Sequence, residues 1–410
     1  MIVASVDLWV VYSFLFISIY FEVFLLLAFI ERRFHPAAAW LSSGATPRVA
    51  IVVPCFNEER SIAATVGSLL ALEYPADKLE ILVVDDGSTD GTLAIAREFE
   101  YDPRVRIFHK ENGGKHTAMN LALAHTDAEL IGCLDADSVA EQGALRVIVP
   151  LFEDERVAAA TPGIHVKEPA NLLQHLQHVE YRLSLFNRFV LSALGSAFIT
   201  PGPFSLFRAG VVRNLGGWRH GHATEDMEMA LRVQSAGYLI GNVPGAIVFT
   251  GTPKTIRSLF RQRVRWTYGW LRNALDYRHM FGNRTFGDLG LIVLPAAILS
   301  IFAGIYFFAR ILFLSLRALV EVIERVHATG VYPHPSLDLF YVNTSALWFL
   351  VVMSVALILV LLSVGTLIGT NHSLPPKATP LFLMFYSFLV PLWLGVAVVR
   401  ATFKTGVRWR

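Results

Sequence analysis

RVAIVVPCF, residues 48 to 56, is a nearly unbroken apolar run rich in Val and Ile. It has no polar face to turn toward water, which marks a strand covered on both sides, as in parallel sheets sandwiched between helices. Outward from it the same unit recurs. NEERSIAATVGSLLAL (57 to 72) reads as a helix with acids in its first turn. LEILVVDD (79 to 86) is a second buried strand ended by GSTDGT, and a helix is expected from Thr92 to Phe99. VRIFHK (105 to 110) is a third strand, and KHTAMNLALAH (115 to 125) a helix opened by Gly113 and Gly114. LIGCLDAD (130 to 137) is a fourth strand, broken by acids at its end. This alternation predicts an α/β domain built on a parallel sheet with helices on both faces. Ligands of such sheets collect at the carboxyl ends of the strands. Three of those ends read PCFNEE, VDDGS and DADS, so acids gather where a ligand would bind.

The chain of 410 residues is 54% hydrophobic, with a mean hydropathy of +0.49, too apolar for an ordinary soluble protein. Trp9 to Ile30, Leu289 to Leu316, Leu339 to Ile368 and Leu381 to Val399 are each long enough to span a bilayer, which takes roughly 20 residues. The first has no cleavage-site pattern behind it and reads as an anchor. The expected organisation is an N-terminal transmembrane helix (1–34), a large polar domain with interfacial helices (47–284), and a C-terminal region with about three apolar segments (285–410). Arg32 and Arg33 follow the first span while only Asp7 precedes it, which places the N-terminus outside and the polar block in the cytoplasm. Three further crossings would put Arg400, Lys404, Arg408 and Arg410 outside, against the same rule, unless one later segment is re-entrant or interfacial. A net charge of +2 gives no field for a polyanion, so nucleic acid is not an expected partner. The two cysteines, Cys55 and Cys133, lie in separate strand-like runs and read as buried thiols of a reducing compartment.

The chemistry sits in short motifs. Asp135 and Asp137 of LDADS stand two apart at a strand end, and strand alternation points them the same way. Such a pair can hold a hard divalent ion that also binds substrate phosphates, or it can form a turn that caps the next helix. Asp85 and Asp86 end a buried strand, where an uncompensated charge is costly, and a carboxylate there can accept from a nucleobase or ribose. No G-x-G-x-x-G follows the first strand and no G-x-x-x-x-G-K-[ST] occurs, which excludes a dinucleotide site and a P-loop. Lys115 can meet phosphate as a point charge at a helix start, or lie solvated on the surface. In HATEDMEMALR (222 to 232), Glu225 and Asp226 open an amphipathic helix. They either face the helix dipole or supply, in Asp226, a general base for an acceptor hydroxyl. GPFSLFRAG (202 to 210) fits a loop lining a ring-shaped acceptor, with Gly202 and Pro203 at its head. RQRVRWTYGW (261 to 270) interleaves arginine with aromatics, as stacking sites, membrane interfaces and phosphate sites all do.

Taken in order, VVPCFNEE, VVDDGSTDGT, ENGGKHTAMNLAL, LDADS, GPFSLFR, TEDMEMALR and QRVRW resemble the membrane-integrated, inverting family-2 glycosyltransferases, which include cellulose, chitin, hyaluronan and poly-N-acetylglucosamine synthases. The resemblance implies a GT-A (Rossmann-like) domain on the cytoplasmic side of a plasma or inner membrane. It implies a UDP-sugar donor of the GlcNAc or Glc type, Mg2+ or Mn2+, and processive extension of a β-linked polysaccharide. Carried over by position, Asp86 with Asp85 is the uridine-binding acid, and Pro54, Asn57, Glu58 and Lys115 belong to the same nucleotide site. Asp135 and Asp137 take the diphosphate and the metal. Asp226, beside Glu225, is the catalytic base. Gln262, Arg265 and Trp266 match the family's Gln-x-x-Arg-Trp motif: Arg265 neutralises the leaving diphosphate, and Gln262 and Trp266, with Gly202 and Pro203, meet the acceptor. Arg261, Arg263 and Trp270 fall outside that motif and are expected to anchor residues 254 to 281 at the membrane interface. The GGK turn and the length look closest to poly-N-acetylglucosamine synthases. Transfer of one sugar to a membrane lipid is the alternative, since lipid glycosyltransferases carry a related Arg-Trp motif. Four spans are few for an export channel, which points to a small membrane partner or a homo-oligomer.

Overall fold

In the computed structural model, which describes residues 2–34, 46–332, 344–370 and 374–404, the chain opens with one long helix, α1 (Ile2–Phe34). β1 (Val49–Cys55) follows and lies at the middle of the sheet's parallel half. Its residues divide by parity, as a strand buried on both faces must. Val49, Ile51 and Val53 enter one core with Ile62, Val66 and Leu69 of α2 (Ile62–Leu70). Ala50 and Val52 enter the opposite core. β2 (Leu79–Asp85), α3 (Thr92–Arg97), β3 (Val105–His109), α4 (Lys115–Ala124) and β4 (Leu130–Cys133) complete the alternation expected from the sequence. β1 pairs in parallel with β2 and β4, and β2 with β3.

Two local expectations fail. Residues 57 to 61 are not helical: Asn57 takes a left-handed backbone (φ 57°) and α2 starts only at Ile62, so the acids of NEE sit in a loop over the sheet edge. The fourth strand ends at Cys133, where its antiparallel ladder with the later strand Ser205–Arg208 also ends. Asp135 and Asp137 therefore lie on a turn closed by the Ser138 amide on the Asp135 carbonyl (2.9 Å), and it is this turn, not strand alternation, that keeps them together.

The second half of the sheet comes from β5 (Ser138–Ala140), α5 (Ala144–Ile148), β6 (Val157–Val166), α6 (Leu172–Ala193), β7 (Ser205–Arg208), α7 (Ala209–Asn214), α8 (Glu225–Ser235) and β8 (Leu239–Thr250). The strand order is β3-β2-β1-β4-β7-β6-β8-β5. The chain leaves β1 toward β2 and returns on its other side as β4, so the strand order reverses between β1 and β4, where a crevice opens at the carboxyl ends. β7 runs antiparallel to β4 and so begins at that same edge, which delivers Gly202 and Pro203 to the crevice.

α6 and α9 (Ile256–Asp276) join the sheet domain to the apolar helices. Among the described residues, four helices are long and apolar enough to cross a membrane: Leu8–Glu31 in α1, Leu289–Thr329, Ala346–Thr370 and Thr379–Phe403. The second combines a π turn (Leu289–Val293) with α10 (Leu294–Thr329), and the third is α11 (Ala346–Thr370). The fourth runs from α12 (Thr379–Leu381) through a π turn (Phe382–Tyr386) into α13 (Ser387–Phe403). The start expected for the third span, Leu339, and the basic residues Arg408 and Arg410 lie outside the described residues. Phe186 and Val190 of α6 share a core with Leu25 and Phe29 of α1 and Leu361 of α11. Leu259, Val264 and Tyr268 of α9 share one with Trp393, Ala397 and Ala401 of α13.

α11 meets α6 so closely at Gly365 that a Cβ there would run into the Arg182 carbonyl, a backbone atom that cannot swing aside. Gly365→Leu is therefore expected to cost about 1–3 kcal/mol by overpacking, read as a lower melting temperature in detergent. An unchanged melting temperature would mean that this helix pair does not dock as described.

Candidate active site

Two loops form the first wall. The Asn57 amide donates to Ser88 Oγ (2.9 Å), the Thr89 amide donates to Asn57 Oδ1 (2.8 Å), and the Glu58 amide donates to Thr92 Oγ1 (2.7 Å). The loop after β1 is thereby tied to GSTDGT after β2, and Pro54, Asn57 and Glu58 come to line one edge.

Asp85 and Asp86 are both buried and both satisfied. Asp85 pairs with His109 Nδ1 at 2.7 Å, and the parallel register sets His109 directly opposite it. Asp86 accepts from Lys110 Nζ (2.6 Å) and from the amides of Gly113 (3.0 Å) and Gly114 (2.8 Å). Its carboxylate thus orders the glycine turn that opens α4. His109 and Lys110 were not among the expected site residues. Reading the end of VRIFHK beside the end of VVDD, as parallel neighbours require, would have found them.

That turn delivers Lys115 to the crevice. Its ammonium bonds Asp135 Oδ1 and lies 3.7 Å from Glu225 Oε1. Burial works against the charge, but Asp135 and Glu225 outweigh it and hold the ammonium well above its ordinary pKa. The reading of Lys115 as a solvated surface residue is thereby set aside. Gly202 presses on the pair: a Cβ there would stand 2.5 Å from Lys115 Nζ and 2.6 Å from Asp135 Oδ2. Asp137 is an exposed residue whose carboxyl is nonetheless crowded by protein atoms. That confinement, then Asp135 and Glu58, push its carboxyl up to about 6. Added positive charge would relieve this crowding of acids.

The third element is the start of α8. Gly221, His222 and Ala223 all take positive φ (53°, 54° and 67°), a left-handed stretch costly at the two residues that carry a Cβ. α9 restrains it: Arg265 Nη1 donates to the Ala223 carbonyl (2.9 Å) and Asn273 Nδ2 to the Gly221 carbonyl (3.0 Å). Gly269 brings α9 so near that a Cβ would occupy the place of the Thr224 side chain. Out of this clamp Glu225 and Asp226 emerge as the first residues of the helix. The Met227 amide donates to Asp226 Oδ1 (2.8 Å). Burial, then Glu225, push the Asp226 carboxyl up to about 6, while Lys115 and Arg265 pull the other way. Asn273 and Gly269 were missed in the sequence because a clamp between distant segments leaves no local pattern.

The Gln-x-x-Arg-Trp segment lies on α9 with Gln262 and Trp266 half-buried, and Gln262 Oε1 is buried with no hydrogen-bond partner among the described residues. Two expected membrane anchors do not serve as such. Arg263 is buried, paired with Glu180 Oε2 at 2.7 Å, with its guanidinium 4.4 Å from the centre of the Trp266 ring. Burial opposes its charge, yet Glu180 keeps its pKa above the ordinary value. Trp270 is buried against Phe198, ring centres 5.0 Å apart. Both meet protein because α13 and the start of α10 cover the face of α9 that lipid would have taken. Arg261 remains exposed.

The arrangement thus places a lysine held between two acids, a carboxylate with a raised pKa and an arginine beside it around one crevice. Comparison with known proteins bears on what it handles. The family described as "Glycosyltransferase like family 2" matches residues 47–269. The poly-beta-1,6-N-acetyl-D-glucosamine synthase of Staphylococcus epidermidis is 30% identical over 224 residues, 54% of each chain. Its namesake from Staphylococcus aureus (strain COL) is 29% identical over 225 residues, again 54% of each. The match therefore spans about half the length of these curated relatives. Among solved structures, the mannosyltransferase PcManGT from Pyrobaculum calidifontis, in complex with GDP-Man and Mn2+, superposes with a TM-score of 0.62 at 20% identity, covering 97% of this chain and 99% of that one. That likeness concerns the fold, which is the expected GT-A architecture with transmembrane-length helices.

Proposed function

The chain belongs to glycosyltransferase family 2, and on that premise we propose that it transfers a GlcNAc- or Glc-type sugar from a UDP-sugar to a growing β-linked polysaccharide at a membrane, inverting the anomeric carbon and adding repeatedly. The observation that carries this is the convergence of Lys115, Asp135, Glu225, Asp226 and Arg265 around one crevice. The two cations suit a diphosphate, and the Asp226 carboxylate an acceptor hydroxyl. The names of the curated relatives favour GlcNAc as the sugar.

In this reading Asp226 accepts the proton of the acceptor hydroxyl, whose oxygen attacks the anomeric carbon as the bond to the diphosphate breaks. Lys115 and Arg265 hold the departing diphosphate, Arg265 as a planar two-pronged donor. Asp85, Asp86, Pro54, Asn57 and Glu58 form the nucleotide wall. Gln262 Oε1 accepts from a sugar hydroxyl, and Trp266 offers a flat face beside it, with Gly202 and Pro203 beneath. Asp135 and Asp137 fit a divalent ion as two hard oxygen ligands. Among the described residues no three His, Cys, Asp or Glu side chains gather to hold one, so substrate phosphates would complete the shell, as Mg2+ sites allow. When bound, Mg2+ or Mn2+ supplies Lewis-acid stabilisation of the leaving diphosphate.

Residues 1–34 would anchor the protein, 47–284 would form the catalytic domain on the cytoplasmic side, and 285–410 would form the remaining membrane region. Arg32 and Arg33 after the first helix support that orientation. A small membrane partner or a second copy would complete an export path.

The test is incubation of the purified protein in nanodiscs with Mg2+ or Mn2+ and each of a panel of radiolabelled UDP-sugars, followed by sizing of the products. A high-mass product from one donor is expected. A single-sugar product that partitions into organic solvent would replace the polymer with a lipid acceptor. No turnover with any UDP-sugar would sink the donor assignment.

A further inference from the structure

We infer that Glu180 is a positioning residue for the acceptor platform, acting through Arg263 on Trp266. This rests on the proposed role of Trp266 at the acceptor. Trp266 lies one turn along α9 from Arg263, whose guanidinium stacks on its ring at 4.4 Å. A cation over an indole face is favourable, but the contact orients the ring only as well as the cation is itself held. Here the holding comes from outside α9. Arg263 Nη2 donates to Glu180 Oε2 on α6 at 2.7 Å, and the hydroxyl of Tyr386 donates to the same oxygen at 2.8 Å. Arg263 is buried and its Nε has no hydrogen-bond partner among the described residues. Glu180 is thus its principal counter-charge, and without it the guanidinium would be a buried, poorly compensated cation with cause to leave the stack.

Tyr386 ends the π turn of the fourth apolar helix, where it is fully buried and stacks on Phe382 (ring centres 5.0 Å apart). π turns recur at functional sites because they aim a side chain that a regular helix would not. One carboxylate oxygen on α6 therefore ties the apolar helix to the face of an aromatic on α9. Sugar rings lie flat on aromatic faces, so a tilt of Trp266 would loosen the acceptor while leaving the nucleotide side alone.

The test uses the full chain in nanodiscs and compares wild type, Glu180→Ala and Glu180→Gln, each measured against its own Trp266→Phe partner. The difference isolates the fluorescence of Trp266 among the other tryptophans. Acrylamide is expected to quench Trp266 more in Glu180→Ala than in wild type. Glu180→Gln, whose amide oxygen can still accept from Arg263 and Tyr386, is expected to fall between. With UDP-GlcNAc, Glu180→Ala should release UDP at the wild-type donor KM. Its acceptor dependence should weaken about 2- to 30-fold, the span of a lost cation–π contact, and its products should shorten. Unchanged Trp266 quenching in Glu180→Ala overturns the inference, as does a weakening of UDP binding, titrated without acceptor, as large as the loss of acceptor dependence, since a merely structural role predicts the latter. A wild-type protein that turns over no UDP-sugar defeats the function proposed above, and Trp266 quenching then decides this inference by itself.

Discussion

Asp226→Asn is expected to lower sugar transfer by about 10²- to 10⁴-fold, the usual contribution of a general base, while donor affinity stays within a few-fold. The substitution keeps the shape at the start of α8, and the side-chain oxygen can still accept from the Met227 amide. What is lost is the capacity to take a proton. The raised carboxyl adds a second signature. Burial and Glu225 bring Asp226 up to about 6, and the base works only as the carboxylate, so its active fraction grows as pH rises through that value. Wild-type kcat should therefore climb roughly tenfold per pH unit below 6 and level off above it. In Asp226→Asn this limb should vanish from the residual activity. Glu225→Gln removes the neighbouring negative charge, so the limb should move to lower pH. A pH–rate profile of the three proteins with a UDP-sugar measures all of this. An Asp226→Asn variant with the wild-type rate and limb would show that another group takes the proton.

In the parallel half of the sheet β1, β2 and β4 were readable because each is buried on both faces, and a doubly buried strand leaves a continuous apolar run that no distant residue alters. β1, β2, β3 and β4 fall inside the runs assigned to them. The ends were harder. LDAD continues the alternation of LIGC on paper, but a strand lasts only as long as its neighbour pairs with it, and β7 begins only at Ser205, opposite Cys133. The acids of NEE looked like the first turn of a helix because their sequence cannot show the bonds to Ser88 and Thr92 that hold them in a loop. Arg263 and Trp270 were misjudged for a related reason. An amphipathic helix reads alike whether its apolar side meets lipid or protein, and the carboxylate that pairs with Arg263 lies 83 residues earlier in the chain. The motif residues themselves were legible because their types are unusual where they stand: acids at the ends of buried strands, and glycine before a lysine at a helix start. The supports Lys110, Asn273, Gly269 and Glu180 carry no such oddity and come into view only when separate segments meet.

Gly202→Ala separates the function of the crevice from its stability. The atoms that the new Cβ would meet, Lys115 Nζ at 2.5 Å and the Asp135 oxygens at 2.6 and 2.9 Å, are all at the ends of side chains. They can move at small cost, unlike the Arg182 carbonyl that faces Gly365. The fold should therefore tolerate the methyl, with a melting temperature near that of wild type. The Lys115–Asp135 pair, however, can no longer sit where it does. If that pair receives the diphosphate, donor affinity should fall by about 10- to 100-fold, the worth of one or two charge-assisted hydrogen bonds. Binding of UDP alone should weaken in parallel, because the loss lies on the diphosphate and not on the sugar. Lys115→Ala should then add little to Gly202→Ala, since both act on the same contact and coupled sites do not sum. Titration of UDP into the wild type, the two single variants and the double variant reads these terms directly. Unaltered UDP affinity in Gly202→Ala would remove Lys115 and Asp135 from the diphosphate site. A large fall in melting temperature would show instead that the crevice is rigid enough for a methyl group to disturb the β4–β7 edge beneath it.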